Sequence, residues 1–409
     1  MIYLDYNATH PPIQEIFEKN WKRYLENPAN PSGISLASQK NQSFLDRRRK
    51  EIAALLALPA DCIRFSSTGT EATYWMIRTF AEGQERAGSS VHNADRDLSA
   101  TSPSPSPSAL PSSGPSCILS ACEHDAMIAA CQDAGLNIRY LPLHEGRVMP
   151  QDLEEMLQSL SESERRVLRF VSVIHASNET GVIQPVAELS RICRKYNLPF
   201  LSDCIQSAGK IPLPVSEFDA FLLNGHKLGA GAGCAVTVFA PQHLRRIVPL
   251  YRGGLQEEET RAGTENLLAI GNFADAFALQ LSMMAEKESR LRPQHARLES
   301  FLKEKGVIIA GEASPRLSNT TYAVFQNLEN MDFFLMGLDQ AGVICSTGSS
   351  CKSRTRQPSR VLRAMGYSEK DSMQALRFSS GLETTAEEFD SLMEVMNHLL
   401  SRFAPAGRL

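Results

Sequence analysis

Short, wholly apolar runs that stop abruptly at polar or glycine-rich residues recur along the chain as far as Phe239, and stretches with helical spacing separate them. Ile63–Ser66, Cys117–Ser120, Phe170–His175 and Phe200–Asp203 read as buried strands, and Glu71–Glu82, Asp125–Ala134 and Ala187–Tyr196 read as helices. Such alternation predicts an α/β fold whose mostly parallel sheet is covered by helices on both faces. Upstream, Ile13, Phe17, Trp21 and Tyr24 fall on one helical face. From Glu265 the pattern changes to a long helix followed by Thr320–Phe325, a helix near Phe333–Leu338 and a final helix at Ala386–Phe403, which we read as a smaller α+β domain. The expected division is a large domain over 15–264 and a small domain that combines 1–14 with 265–409. A chain of 409 residues suits two such units.

One segment breaks the pattern. Ser99–Ser116, with its Ser-Pro repeats, lacks the apolar surface needed to offset chain entropy and is expected to be a mobile surface loop inserted in the large domain. A formal net charge of -4 offers no electrostatic case for nucleic acid or an anionic membrane. The N-terminus lacks a basic region followed by a long apolar stretch, and no apolar run is long enough to span a bilayer, so a soluble cytoplasmic protein is expected. The nine cysteines are scattered without CxxC pairs, which argues against a disulfide framework or a metal cluster.

The ends of the apolar runs carry the chemistry. In an open α/β sheet the strand C-termini line the ligand crevice, and Asp203 and Lys227 each stand where a run gives way to polar residues. An aspartate against a ring nitrogen and a lysine that bonds an aldehyde are the two groups that pyridoxal phosphate (PLP) needs. Taken alone, Asp203 reads equally as a helix cap and Lys227 as a solvated charge. The glycines after Lys227 run into the apolar Cys234–Phe239 instead of opening a helix, so a dinucleotide loop is not supported. Gln206 is placed to donate to a ring oxygen. Ser66-Ser67-Thr68-Gly69-Thr70 precedes a helix, where free amides and a hydroxyl make an anion site. His124 follows a strand closely and suits ring stacking and proton exchange. Asn178 and Arg377 are candidates for holding a substrate carboxylate. Cys351 lies in a small, polar stretch beside Lys352, Arg354 and Arg356, which favour its thiolate, and a tether of a few residues gives it a reach of at most about 15 Å. Cys345, by contrast, reads as a buried strand position.

Together these motifs resemble the NifS/IscS-type cysteine desulfurases of the class-V aminotransferase family. The likeness spans almost the whole chain: Tyr3-Leu4-Asp5 with Asn7-Ala8-Thr9, Gly69-Thr70-Glu71-Ala72, Glu123-His124, Asn178 to Gln184, Asp203 to Lys210, Gly225-His226-Lys227, Arg261 to Asn266, Ser346 to Cys351, Pro358 to Ala364 and Leu376 to Ser379. The resemblance implies PLP fold type I with a seven-stranded sheet. It implies that Lys227 bonds the cofactor and is the catalytic base, that Asp203 partners the pyridine nitrogen, that Gln206 donates to the phenolic oxygen and that His124 is an acid/base stacked on the ring. Gly69, Thr70, His226 and Asn224 fall at positions around the phosphate, and Thr264 matches a residue reaching the phosphate of the other subunit, which implies a homodimer. Asn178 and Arg377 match the carboxylate clamp. Cys351 matches the nucleophile that takes sulfur from L-cysteine as a persulfide and passes it to an acceptor, a scaffold or tRNA-thiolation enzyme, while L-alanine leaves. Departures from the family pattern are Asn224 for a phosphate-binding serine, Ser35 for histidine, His10 for threonine, and the cationic residues around Cys351. Two other readings remain open at this level: another class-V PLP enzyme, such as a selenocysteine lyase or aminotransferase, and a catalytically weak PLP-binding interaction subunit.

Overall fold

The computed structural model describes residues 1–82, 114–326, 328, 330–348 and 357–403. In chain order its strands are β1 (Ile2–Tyr3), β2 (Ile63–Ser66), β3 (Ser116–Ser120), β4 (Asn137–Leu141), β5 (Leu168–Ser172), β6 (Phe200–Asp203), β7 (Ala220–Asn224), β8 (Ala235–Phe239), β9 (Ile308–Ile309), β10 (Thr320–Val324), β11 (Val343–Ile344) and β12 (Ala375–Ser379). The helices are α1 (Gln14–Glu26), α2 (Leu36–Leu55), α3 (Gly69–Glu82), α4 (Asp125–Asp133), α5 (Pro150–Ser159), α6 (Glu162–Val167), α7 (Val186–Lys195), α8 (Leu267–Ser282), α9 (Met284–Glu304), α10 (Met331–Gln340), α11 (Arg360–Ala364), α12 (Glu369–Met373) and α13 (Ala386–Phe403). No single described helix is long and apolar enough to cross a membrane.

Seven strands form one sheet in the order β2-β8-β7-β6-β5-β3-β4. All neighbours from β7 to β4 run parallel, and β8 alone runs against its two neighbours. β6, β7 and β8 are buried at every position, which is why they lack the alternation of a half-wet strand. Helices cover both faces. On α7, Val186, Leu189, Ser190 and Cys193 make one buried stripe, as a 3.6-residue period requires. The C-terminal part of the chain builds an antiparallel sheet, β12-β10-β9, against which α9 and α13 pack Leu298, Leu302, Phe389, Leu392 and Met396. β1 pairs in parallel with β11 and ties the N-terminus to this second unit.

Several boundaries differ from the sequence-based expectation. The strand expected at Phe170–His175 is β5, Leu168–Ser172. Beyond it, Val173 and His175 still donate to Leu201 O and Asp203 O, so the apolar signal continues while the regular ladder ends. Ser116, expected at the end of the Ser/Pro loop, begins β3 and pairs with Asn137 and Leu168. Residues 99–113 of that expected loop lie outside the described residues. Cys345 is half-buried one residue past β11. The expected domain boundary at 264/265 lies before α8, whose Ile270, Phe273, Ala274 and Phe277 belong to the core of the large sheet. α8 and α9 then meet at a bend of 66°.

Candidate active site

Because β2, β3, β5, β6 and β7 point the same way, the segments that leave their C-termini converge on one edge of the sheet. There they enclose a cavity of about 430 Å³. Gly69 and Thr70 enter it from the turn after β2, His124 from the turn after β3, Asn178 from beyond β5, Asp203 and Gln206 from β6, and Asn224, His226 and Lys227 from β7. Arg377 reaches it from β12 of the second unit. The residues separated in sequence as candidates for cofactor and carboxylate binding therefore share one wall-to-wall space, with two exceptions. Thr264 is exposed and outside the cavity of its own chain, and Cys351 lies outside the described residues.

At the anion end, α3 starts with two amides, Gly69 and Thr70, that have no acceptor among the described residues. Side chains satisfy the neighbouring amides: Glu71 N donates to Thr68 Oγ1 and Ser67 N to Glu71 Oε2. An added Cβ at Gly69 would stand 2.7 Å from Asn224 Nδ2, so glycine is required for this close approach. Asn224, at the serine position of the family pattern, has its Oδ1 near the His226 amide, at 3.4 Å. Burial pushes His226 down to about 4, with the Lys227 charge acting in the same direction.

At the opposite end Asp203 is 5% exposed and accepts from Ile205 N at 2.8 Å. Burial raises its carboxyl above the usual range, which leaves it ready to share a proton with a basic ring nitrogen. His124 caps α4: its Nδ1 accepts from Ala126 N at 3.1 Å, so in the neutral ring the proton sits on Nε2. Lys227 closes a short 3₁₀ turn after β7, and its Nζ donates to Asn7 O and Ala8 O, both at 2.5 Å. Arg377 is 1% exposed; Nη1 donates to Asn178 O and Gly348 O, Nη2 pairs with Asp5 at 2.7 Å, and Nε is buried with no partner among the described residues. A substrate carboxylate would therefore share this guanidinium with Asp5. Gln206 spends its amide on Asn7 O and receives Lys210 Nζ.

Three contributors were not singled out from the sequence. Asn7 is a hub: its O receives Lys227 and Gln206, and its Oδ1 receives Lys210. Arg360 bonds the carbonyls of Ala121 and Glu123 and so braces the turn that presents His124. Glu123 lines the cavity, is buried, and accepts at Oε1 from Ser120 Oγ at 3.0 Å. Burial, reinforced by the Asp203 charge, pushes Glu123 up to about 8. The folded state thus holds a proton that the unfolded chain releases at ordinary carboxylate pH. The resulting stability is present on the acid side and is lost as pH climbs through about 8. In cofactor-free protein, Glu123→Gln is expected to flatten the decline in unfolding free energy across that window, a difference on the order of a few kcal/mol that denaturant titration at a series of pH values measures. Parallel pH dependences of wild type and variant would refute this.

Residues 106–392 match the family model of the class-V aminotransferases. The chain belongs to that family. Cysteine desulfurase IscS of Dictyoglomus turgidum is 30% identical over 98% of this chain and 95% of its own length, and that of Methanosarcina thermophila is 29% identical over 98% and 92%. Among solved structures, a NifS-like protein from Rickettsia africae superposes with a TM-score of 0.81 at 27% identity, covering 98% of this chain and 99% of its own. This class-V protein is of the NifS/IscS type, and PLP is its cofactor. The residues present fit the group. The open amides of α3 suit a phosphate, buried Asp203 suits a protonated ring nitrogen, and Lys227 is the amine beside them.

Proposed function

We propose that the protein is a PLP-dependent cysteine desulfurase, which converts L-cysteine to L-alanine and leaves the sulfur as a persulfide on Cys351. The observation that carries this reading is the convergence of Lys227, Asp203, His124 and Arg377 on one cavity, with Gly348, three residues before Cys351, hydrogen-bonded to Arg377. Bound PLP supplies an electrophilic aldehyde and a ring that accepts an electron pair. Asp203 would keep the ring nitrogen protonated, and the amides of Gly69 and Thr70 would hold the phosphate. Arg377, with Asn178 beside it, orients the substrate carboxylate so that the α-C–H faces Lys227 Nζ. Lys227 would take the α-proton at Nζ, and His124, whose Nδ1 is occupied by Ala126 N, would give or take a proton at Nε2. Cys351 thiolate attacks the substrate sulfur: the S–S bond forms as the C–S bond breaks, and the carbon fragment gains protons and leaves as alanine.

The reading extends to a homodimer and to a sulfur acceptor. Thr264 is carried on a segment anchored to the large unit by Arg49–Glu257 and Arg261–Glu71 ion pairs. Exposed there, it is available to the phosphate site of a partner subunit. The test is incubation of purified, PLP-loaded protein with L-cysteine and a reductant. Alanine and sulfide are expected in equal amounts over many turnovers; full PLP occupancy without either product would favour a binding subunit instead.

A further inference from the structure

A second cavity, of about 90 Å³, lies on the other side of Lys227 from the site just described, so that this lysine lines both. Lys210 and Lys287 also line it. Lys210 Nζ donates to Asn7 Oδ1 at 2.8 Å and Gln206 Oε1 at 2.9 Å. Lys287, 9% exposed, donates to Gly209 O at 2.6 Å and to the side chain and carbonyl of Gln280. Every one of these acceptors is neutral. Buried ammonium groups are ordinarily paired with an anion, yet among the described residues neither lysine has a carboxylate in contact. Burial lowers both, Lys287 to about 8 with the Glu383 charge opposing it, and the charges of Lys287, Lys227 and Arg377 push Lys210 further down. The single acid of the lining, Glu383, is exposed and accepts from Tyr6 Oη. The rest of the wall is mixed: Ile13, Leu279, Met283, Leu291 and Leu382 form an apolar side, and His10, Gln280, Ser318, Asn319 and Ser380 line the polar remainder.

We propose that this cavity binds a short-chain monocarboxylate, its carboxylate between Lys210 and Lys287 and its carbon tail on the Leu279–Met283–Leu291 wall. The space admits several waters or one molecule of about five or six heavy atoms. An all-polar anion such as inorganic phosphate leaves the apolar wall unmatched. A free short acid and the small amino-acid product of the proposed reaction share this chemistry. Because Lys227 borders both cavities, a bound carboxylate would place its charge next to the amine that works on the other side.

The test is calorimetric titration of the full-length, PLP-loaded protein with propionate, which has no amine and cannot bond the cofactor. Saturable binding is expected, weakened about tenfold or more by Lys287→Met, as befits loss of a charge-assisted hydrogen bond. Leu279→Trp, which narrows the mouth without touching a lysine, should weaken it as well, and Arg377→Lys in the first cavity should not. L-Alanine displacing the propionate would identify the reaction product as an occupant, and propionate that alanine cannot displace would identify a free acid. No binding, equal binding of phosphate, or affinity that follows Arg377 instead of Lys287 and Leu279 would overturn the proposal. The readout needs no turnover, so it fails independently of the desulfurase reading.

Discussion

Lys227→Ala is expected to yield a folded protein that no longer bonds PLP and turns over L-cysteine at least about 10³-fold more slowly, since in the proposed reaction one side chain supplies both the covalent anchor and the base. Its position explains why no neighbour can substitute. β7 is buried along its whole length and ends at Asn224, so the 3₁₀ turn Gly225–Lys227 delivers the side chain at the sheet edge, between the two cavities. Asn7 O and Ala8 O then receive the ammonium. Those two carbonyls give the amine a resting place whenever it is not bonded to the cofactor. Loss of these bonds costs about 1–3 kcal/mol of stability, small enough that thermal denaturation should still show a cooperative fold. Borohydride reduction followed by peptide mapping is the decisive measurement, with a phosphopyridoxyl adduct on Lys227 in the wild type and none in the variant. An adduct on Lys210, with turnover surviving Lys227→Ala, would overturn the assignment.

The placement of Asp203 and Lys227 was legible because each is fixed locally: an apolar run stops, and the next polar side chain has to lie at the sheet edge. The same holds for the turn before α3 and for His124. Residues whose importance depends on distant partners were not legible in this way. Glu123 has a perturbed carboxyl because the fold buries it, and because that burial brings the charge of Asp203, distant in sequence, close to it. Asn7 is a hub only because β1 and the bridge from Asp5 to Ser379 fix the N-terminus on the second unit, from which Asn7 meets Lys227, Gln206 and Lys210 of the large one. Arg360 bonds a turn that is remote in sequence, and nothing in Pro358-Ser359-Arg360 announces that target. The end of β5 was misplaced for a related reason. Val173 and Ile174 are as apolar and as buried as the strand itself, and burial alone does not tell a regular ladder from a segment that turns away. Lys210 and Lys287 illustrate the limit most sharply. Each reads as a solvated charge in sequence, and only the packing of α9 against the β6 connection makes them neighbours in a second cavity.

Cys351→Ala is expected to abolish production of alanine and sulfide from L-cysteine, a loss of at least about 10³-fold, while the bound cofactor keeps its absorbance. Chain geometry limits where the thiol can be. Gly348 O is held at 2.8 Å by Arg377, whose guanidinium lines the cavity, and three residues at roughly 3.3–3.6 Å each keep Cys351 within about 10 Å of that anchor. On the far side the chain is fixed again at Ser359, which caps α11, and at Arg360, which bonds Ala121 O. The described cysteines are poor rivals: seven are buried, and burial pushes both Cys122 and half-buried Cys345 up to about 12, far from the thiolate. For Cys351 the opposite is expected from sequence, where Lys352, Arg354 and Arg356 stand beside it. Mass spectrometry after brief exposure to L-cysteine should find one added sulfur atom on the peptide containing Cys351, removable by a thiol reductant. If Cys351→Ala kept its turnover, or the sulfur appeared on the Cys345 peptide, the nucleophile would have to be sought elsewhere. A variant that lost desulfuration yet still transaminated would instead show that the cavity is a general class-V site, and that this one thiol confers its specialisation for sulfur.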